Sequence, residues 1–345
     1  MSGSTGSSTS KRRHQLDLSK ISTKFVPPLF FNLSLYSEAL FSNILSACIT
    51  QSILVKRQPN AYILCVNERL SPVTFESLCD NAPDENLPPL DRQQPGPDVV
   101  LNNETRFWRE NGYLILEKFI PDSLIDAYCD HCTGSGIAPH GWPEPCPFTH
   151  QPILRDIACY RPLADKLDML LGTPMGLSLA LTGWRSSTRS WHQDDYLNPE
   201  YMNSWYLAVW ISLADQSPDS GLFEYVPGSH RWPQMRGEKV RAALPREERD
   251  SPNWPRFAEN LVTPIFEDKI QSSGLPRKQF QARKGDVLIW HGRLAHQGRE
   301  PQAPGAERRA LITHYSAITK RQDLPRHRQH NGQGWYFLLP DSKTA

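Results

Sequence analysis

The sequence predicts a mainly β protein, an antiparallel sandwich or barrel with helices supplied from its N-terminal side. Two observations carry this. From residue 175 onward the chain falls into short period-2 or apolar runs, at 175–184, 190–194, 204–213, 222–226, 279–282, 286–290 and 308–316, separated by Pro, Gly and Asp turns, which is the punctuation of many short strands. The composition agrees: 30 Pro and 20 Gly in 345 residues require frequent turns, while 39% hydrophobic and 10% aromatic residues suffice for a folded core.

Ahead of those runs the pattern is helical. A short helix is expected over 105–112 and a strand over 113–119. Pro121-Asp122-Ser123 opens a helix through 128, and another runs over 163–171, where Leu163, Leu167, Leu170 and Leu171 share a face and Gly172 supplies the stop.

The remaining segments differ in kind. Residues 1–24 are rich in Ser, Thr, Lys and Arg with Asp17 the sole acid, too little apolar surface to offset ordering entropy, and are expected to form a disordered basic tail. Residues 25–79 read as an N-terminal appendage without recognisable chemistry. Five prolines between 80 and 98 (Pro83, Pro88, Pro89, Pro95, Pro97) read as a linker. The main domain is expected over 99–318, with 319–345 as a C-terminal tail.

Charge narrows the function. Lys and Arg number 38 against 37 Asp and Glu, leaving no net field to draw the molecule onto nucleic acid or an anionic membrane. A small-molecule substrate is the expected partner and a monomer the default. All seven Cys precede residue 160, so disulfides cannot hold the second half, and a reducing, cytoplasmic setting is expected. The uncharged stretch 39–55 is broken by six polar residues and falls short of the roughly 20 apolar residues of a membrane helix. The acid-poor, basic composition of 1–24 leaves organelle targeting as the alternative.

The chemistry concentrates in two places. Trp191-His192-Gln193-Asp194 lies in the strand expected over 190–194, where side chains two apart share a face and reach one ion. Far downstream, Gly285-Asp286 opens an apolar strand that delivers His291 and then His296. Two His and one carboxylate on a β scaffold make the facial triad of non-haem Fe(II) oxygenases, with three coordination positions left open. The residues by themselves leave His291 and His296 as competing third ligands.

His192-Gln193-Asp194, Trp210, Gly221-Leu222 leading to Pro227-Gly228-Ser229-His230, Gly285-Asp286 through His296, and Arg308-Arg309-Ala310 closing toward Tyr315 resemble, in order and spacing, the phytanoyl-CoA dioxygenase family of Fe(II)/2-oxoglutarate-dependent oxygenases. The opening 107–119 with Ile120-Pro121 is similar to that family's start, so the resemblance covers residues 99–318. It implies a double-stranded β-helix, a jelly roll of the cupin type, with Fe(II), 2-oxoglutarate and O2 as cofactors and ascorbate in support. His192, Asp194 and His296 are implied as the catalytic metal ligands. His291 and His230 then serve packing and hydrogen bonding, and His14, His131, His140, His150, His327 and His330 are ordinary surface or loop residues.

Arg308 is implied as the anchor for the cosubstrate's far carboxylate, because a guanidinium is a planar two-pronged donor. Arg309, its neighbour, takes the other strand face. Trp210, sharing a face with Tyr206, Ala208 and Ser212, and Gln193 are implied as further cosubstrate contacts. Gly298 departs from the family, whose members often carry a hydroxyl there. The implied reaction is hydroxylation of a small molecule with release of succinate and CO2. With Asp194 present, a halide has no vacated ligand position.

Other readings compete. A cupin-like metal-binding module, or a metalloenzyme without 2-oxoglutarate turnover, would use the same ligands for zinc or nickel; Arg308 argues against it. Cys129-Asp130-His131-Cys132 has redox or zinc spacing but no second close pair, so buried helical cysteines are expected. The segment after His230, with Arg231, Arg236, Lys239 and Arg241 and running to Lys284, is expected to be a variable surface loop.

Overall fold

The computed structural model describes residues 73–338 apart from 82, 83, 98, 145 and 203, together with the backbone of three strands before them. Those three, β1 (Leu29–Phe31), β2 (Ile53–Gln58) and β3 (Ala61–Val66), form an antiparallel sheet in the order β1-β3-β2. They belong to a unit spanning Met1–Pro72, separate from Val73–Ala345. The tail expected over 1–24 lies outside the described residues.

The second unit holds β4 (Cys79–Asp80), β5 (Tyr113–Leu116), β6 (Met175–Gly183), β7 (Tyr206–Ser212), β8 (Phe223–Tyr225), β9 (Gln234–Met235), β10 (Lys278–Phe280), β11 (Val287–His291), β12 (His296–Gly298), β13 (Ala310–Ala317), β14 (His327–Gln329) and β15 (Trp335–Phe337). A seven-stranded sheet runs β14-β15-β6-β13-β7-β11-β5, and a three-stranded sheet runs β10-β8-β12. Its helices are α1 (Asn103–Asn111), α2 (Asp122–Gly134), α3 (Pro152–Ala158), α4 (Arg161–Leu171), α5 (Gly237–Ala243), α6 (Arg246–Arg249) and α7 (Trp254–Ser273).

Alternation along β7 decides how these layers stack. Leu207, Val209 and Ile211 join Trp108, Ile125, Tyr128, Leu154 and Leu167 in the core shared with α1 to α4. Ala208 and Trp210 point the other way and pack with Phe223, Tyr225, Phe280, Leu288 and Trp290 between the two sheets. The result is the jelly roll, with helices on one face of the large sheet, and the space between the sheets is where the functional side chains gather.

The four early elements form as their sequences direct. Asn102 caps α1 by accepting from the Thr105 amide at 2.9 Å. Gly112 and Gly172 end α1 and α4 in the left-handed conformation. The strand expected over 113–119 stops at Leu116, and the helix begun at Asp122 continues to Gly134.

Four expectations are corrected. The strand expected over 190–194 is not one: His192 makes an isolated antiparallel bridge to His296, and the chain then turns away. The linker expected over 80–98 is packed onto the second unit, with Leu87 and Leu90 buried. Arg109 donates to the Leu90 and Gln93 carbonyls at 2.6 and 2.8 Å, and Trp205 Nε1 to that of Asn86 at 2.9 Å. Prolines that stiffen a segment also lower the entropy lost when it docks, so a Pro-rich composition serves either outcome. The upstream residues Phe75 and Leu78 are likewise buried here.

The C-terminal tail expected over 319–345 contributes two strands. β15 pairs in parallel with β6, and Tyr336 and Phe337 are buried, which covers a sheet edge otherwise left with unpaired backbone groups. The segment expected to be a loop folds as α5 to α7, with Ala258, Val262, Ile265, Phe266 and Ile270 of α7 turned inward against Phe75, Trp191, Tyr196 and Val226. Pro255 lies in its first turn, where a missing amide costs nothing, and Pro264 is the interior exception.

Two helix-ending glycines provide a test. Gly274 closes α7 at φ 66° with no atom near its missing side chain, whereas a Cβ on Gly112, at φ 74°, would run into the His230 ring. Gly274→Ala is expected to lose about 1–2 kcal/mol from left-handed strain. Gly112→Ala should lose a further ~1–3 kcal/mol from overpacking, read as a larger fall in urea midpoint. Equal shifts would mean that the ring yields freely.

Candidate metal centre

The three implied ligands meet. Side chains of His192, Asp194 and His296 each offer an atom within 4.8 Å of the others, and all three residues are buried. His192 Nε2 lies 3.4 Å from Asp194 Oδ1, and His296 Nε2 lies 3.7 Å from Oδ2. Each imidazole uses Nδ1 on a backbone carbonyl, of Ser190 at 2.6 Å and Leu294 at 2.9 Å. A carbonyl is acceptor only, so Nδ1 carries the proton and the Nε2 lone pairs are free toward the shared centre.

The backbone explains the convergence. Residues 192 and 296 exchange N–H···O bonds, both of 3.0 Å, which places the imidazoles side by side with ring centres 4.2 Å apart. Asp194 is helical (φ −82°, ψ −26°) and leads into a 3₁₀ turn at Asp195–Leu197, and its amide donates to the Gly292 carbonyl at 2.9 Å. A turn, not strand alternation, brings the carboxylate back to the histidines. Trp290 Nε1 donates to Asp194 Oδ2 at 3.2 Å, and Arg189 sits 3.6 Å from Oδ1 while bonding Glu259 of α7 at 2.8 Å.

Electrostatics suit a divalent cation. Burial by itself would raise the Asp194 carboxyl, but the adjoining His296 and His192 outweigh it and hold the group well below the usual carboxylate range. Burial, reinforced by His192 and opposed by Asp194, pushes the His296 imidazole down to about 3, so it is neutral and its lone pair is available.

Arg308 lies on the same interior side. It is 3% exposed, its guanidinium stands 4.6 Å over the Trp210 ring, and Nη1 donates to the Gly221 carbonyl. No carboxylate pairs with it among the described residues, and burial lowers it to about 10, which leaves it charged. Arg308 Nε and Trp210 Nε1 are both buried without an acceptor. Two orphaned donors side by side suit an anionic oxygen ligand, and each costs about 1–3 kcal/mol while unmet. Arg309 takes the outer face, over Trp184 and bonded to Glu307.

Other residues fall differently. Gln193 is turned away from this space: its Nε2 donates to the carbonyls of Ser229 and Arg293, because the residue between His192 and Asp194 takes the opposite side of the chain. His291 is no part of the triad; it bonds Asp91 at 2.8 Å. His230 bonds the Arg109 carbonyl. His330, expected at the surface, is buried against Asp156 at 2.7 Å. Next to the absent hydroxyl at Gly298 stand the Ser186 and Ser187 hydroxyls, each 3.4 Å from where a Cβ would be.

Sequence reasoning missed His314. It is buried, bonds the Tyr206 hydroxyl through Nδ1, and meets the Trp290 ring edge-on. Counting by twos from Arg308 along β13 reaches it, so the signal was present. Asp91 was missed without any such pattern.

Residues 178–310 match the phytanoyl-CoA dioxygenase (PhyH) family. None of the curated proteins matches the sequence. Among solved structures, iron-bound EctD from S. alaskensis is similar over 74% of this chain and 89% of its own, with 17% identity and a TM-score of 0.50, and so shares the fold. The carbocyclase SnoK from nogalamycin biosynthesis (21% identity, 65% and 88% covered, TM-score 0.48) and HygX from Streptomyces hygroscopicus with nickel and 2-oxoglutarate bound (17%, 63% and 87%, 0.43) are further similar chains.

The thiol pair supplies the check on this location. Cys129 and Cys132 are free on α2, and burial raises both thiols, Cys132 to about 11, so neither is a ready thiolate ligand. Metal content of purified Cys129→Ser/Cys132→Ser protein is expected to equal that of the parent; a loss would relocate the metal to α2.

Proposed function

We propose, from the match of residues 178–310 to the phytanoyl-CoA dioxygenase family, that the protein is an Fe(II)- and 2-oxoglutarate-dependent oxygenase acting on a small molecule. His192, Asp194 and His296 are its iron ligands and Arg308 its cosubstrate anchor. The observation that carries this reading is a buried His–Asp–His cluster on the same interior face as a buried guanidinium that has no acid partner among the described residues. A metal-storage module has no use for such a guanidinium, whose desolvation is offset only when an anion arrives.

The residues divide the work. His192 and His296 turn their Nε2 atoms toward the centre, with Nδ1 held on backbone carbonyls, and Asp194 supplies the single negative charge that leaves a ferrous centre cationic enough to take a dicarboxylate. Trp290 holds Asp194 Oδ2, favouring ligation through the remaining oxygen. Arg308 and Trp210 receive the far carboxylate and fix the cosubstrate's direction. When bound, iron and 2-oxoglutarate supply oxidative decarboxylation to succinate and CO2 coupled to oxidation of the substrate, with hydroxylation the reading favoured by the intact carboxylate ligand. His314 and Tyr206 border the space beside Asp194 and orient the substrate there.

Anaerobic addition of Fe(II) and 2-oxoglutarate is expected to produce a metal-to-ligand charge-transfer band. His296→Ala should abolish it, and a folded parent protein without the band would sink the proposal. Arg308→Lys should keep the band but raise the half-saturating 2-oxoglutarate concentration about 30- to 150-fold, the equivalent of losing ~2–3 kcal/mol of charge-assisted hydrogen bonding.

A further inference from the structure

Asp91 sits in the Pro-rich segment read from sequence as a linker, outside the part of the chain that matches the family. Its side chain is 3% exposed and its Oδ2 lies 2.8 Å from His291 Nε2, with Arg293 Nη2 at 3.8 Å. Burial would raise this carboxyl, but the adjoining His291, then Arg293, hold it at about 2. A buried ion so placed is expensive to keep unless it is needed where it stands.

The bonds around it lead to the metal centre. His291 Nδ1 accepts the Arg293 amide at 3.0 Å, which closes the turn His291-Gly292-Arg293. The Gly292 carbonyl at the crest of that turn accepts the amides of Asp194 and Asp195, at 2.9 and 3.0 Å. The turn is also tied from outside, by the His291 amide to the Gly112 carbonyl at 2.9 Å and the Gly292 amide to the Tyr206 carbonyl at 3.3 Å. Gly292 has no room for a side chain, since a Cβ would press on Tyr206. The Asp91 segment is itself clamped by Arg109 through the Leu90 and Gln93 carbonyls.

We infer that Asp91 is a positioning residue for the metal centre: through His291 it sets the turn whose Gly292 carbonyl holds the backbone of Asp194, so the segment 84–93 completes the site. This rests on the reading of Asp194 as a metal ligand. Partners bonded directly to a metal ligand typically set 10- to 100-fold in affinity when removed; the Gly292 carbonyl, on the Asp194 amide, is such a partner, and Asp91 acts through it.

The test is Co(II) binding to the full-length protein, followed by its visible d–d absorption. Asp91→Asn, which keeps the shape and removes the charge, is expected to weaken Co(II) about 10- to 100-fold and change the band shape. Asp156→Asn is the control: it breaks another Asp–His pair, with His330, whose carboxylate is more exposed, and it should leave Co(II) affinity and band shape unchanged. His291→Gln, which keeps a donor toward Asp91 and loses the acceptor for Arg293, should weaken Co(II) as Asp91→Asn does and carries the test if that variant does not fold. Parental Co(II) affinity and spectrum in whichever folds overturns the inference. Failure of the parent to bind Co(II) would instead overturn the ligand assignment itself, and the inference with it.

Discussion

Two backbone hydrogen bonds between residues 192 and 296 are the constraint on which the site depends. They join a segment that belongs to no sheet to the end strand of the smaller sheet, and they set two imidazoles side by side before any metal contributes. Everything nearby serves that pairing. β12 is held by β8, the carbonyls of Ser190 and Leu294 choose the tautomers, and the turn after His192 returns a carboxylate to the same point. A pre-organised set of this kind loses little conformational entropy on taking up an ion.

The cluster is also a study in opposed desolvation. Asp194 and Asp91 are both deeply buried, yet each remains ionised because basic groups adjoin it. Arg308 is buried with no acid beside it among the described residues and keeps its charge at the expense of stability. A protein carries such an unmet group where a ligand is to meet it, and stability lost there is the usual companion of function. The helical layer tells the opposite story: Trp108, Ile125, Leu154 and Leu167 bury apolar surface with few polar demands, and this is the platform that keeps the large sheet rigid while its other face holds costly groups.

Much of this was legible in the residues. Period-2 runs located β6, β7, β8, β10, β11 and β13, Gly112 and Gly172 marked their helix ends, and the motifs around His192, His296 and Arg308 pointed to the candidate site. Other parts were hidden for physical reasons. Pro255 and Pro264 of α7 look like helix breakers, yet the first lies in the opening turn and the buried stripe of the helix prevails over the second. The three-residue strands at the C-terminus are too short to display a period, and their partner in the sheet is distant in the chain.

The sequence alone brought forward His192, Asp194 and Arg308 as candidates and left His291 and His296 to compete for the third ligand position, because residue type and spacing are local properties. It also determined that His314 would share a face with Arg308. Only the tertiary structure decided that Asp194 reaches the histidines by a turn, that Gln193 looks away, and that Asp91, far from the motifs in the chain, is buried against His291. Those outcomes depend on which backbone groups remain unpaired once the sheets have closed. No local pattern encodes that, because a hydrogen-bond partner is chosen by proximity in space rather than by separation along the chain.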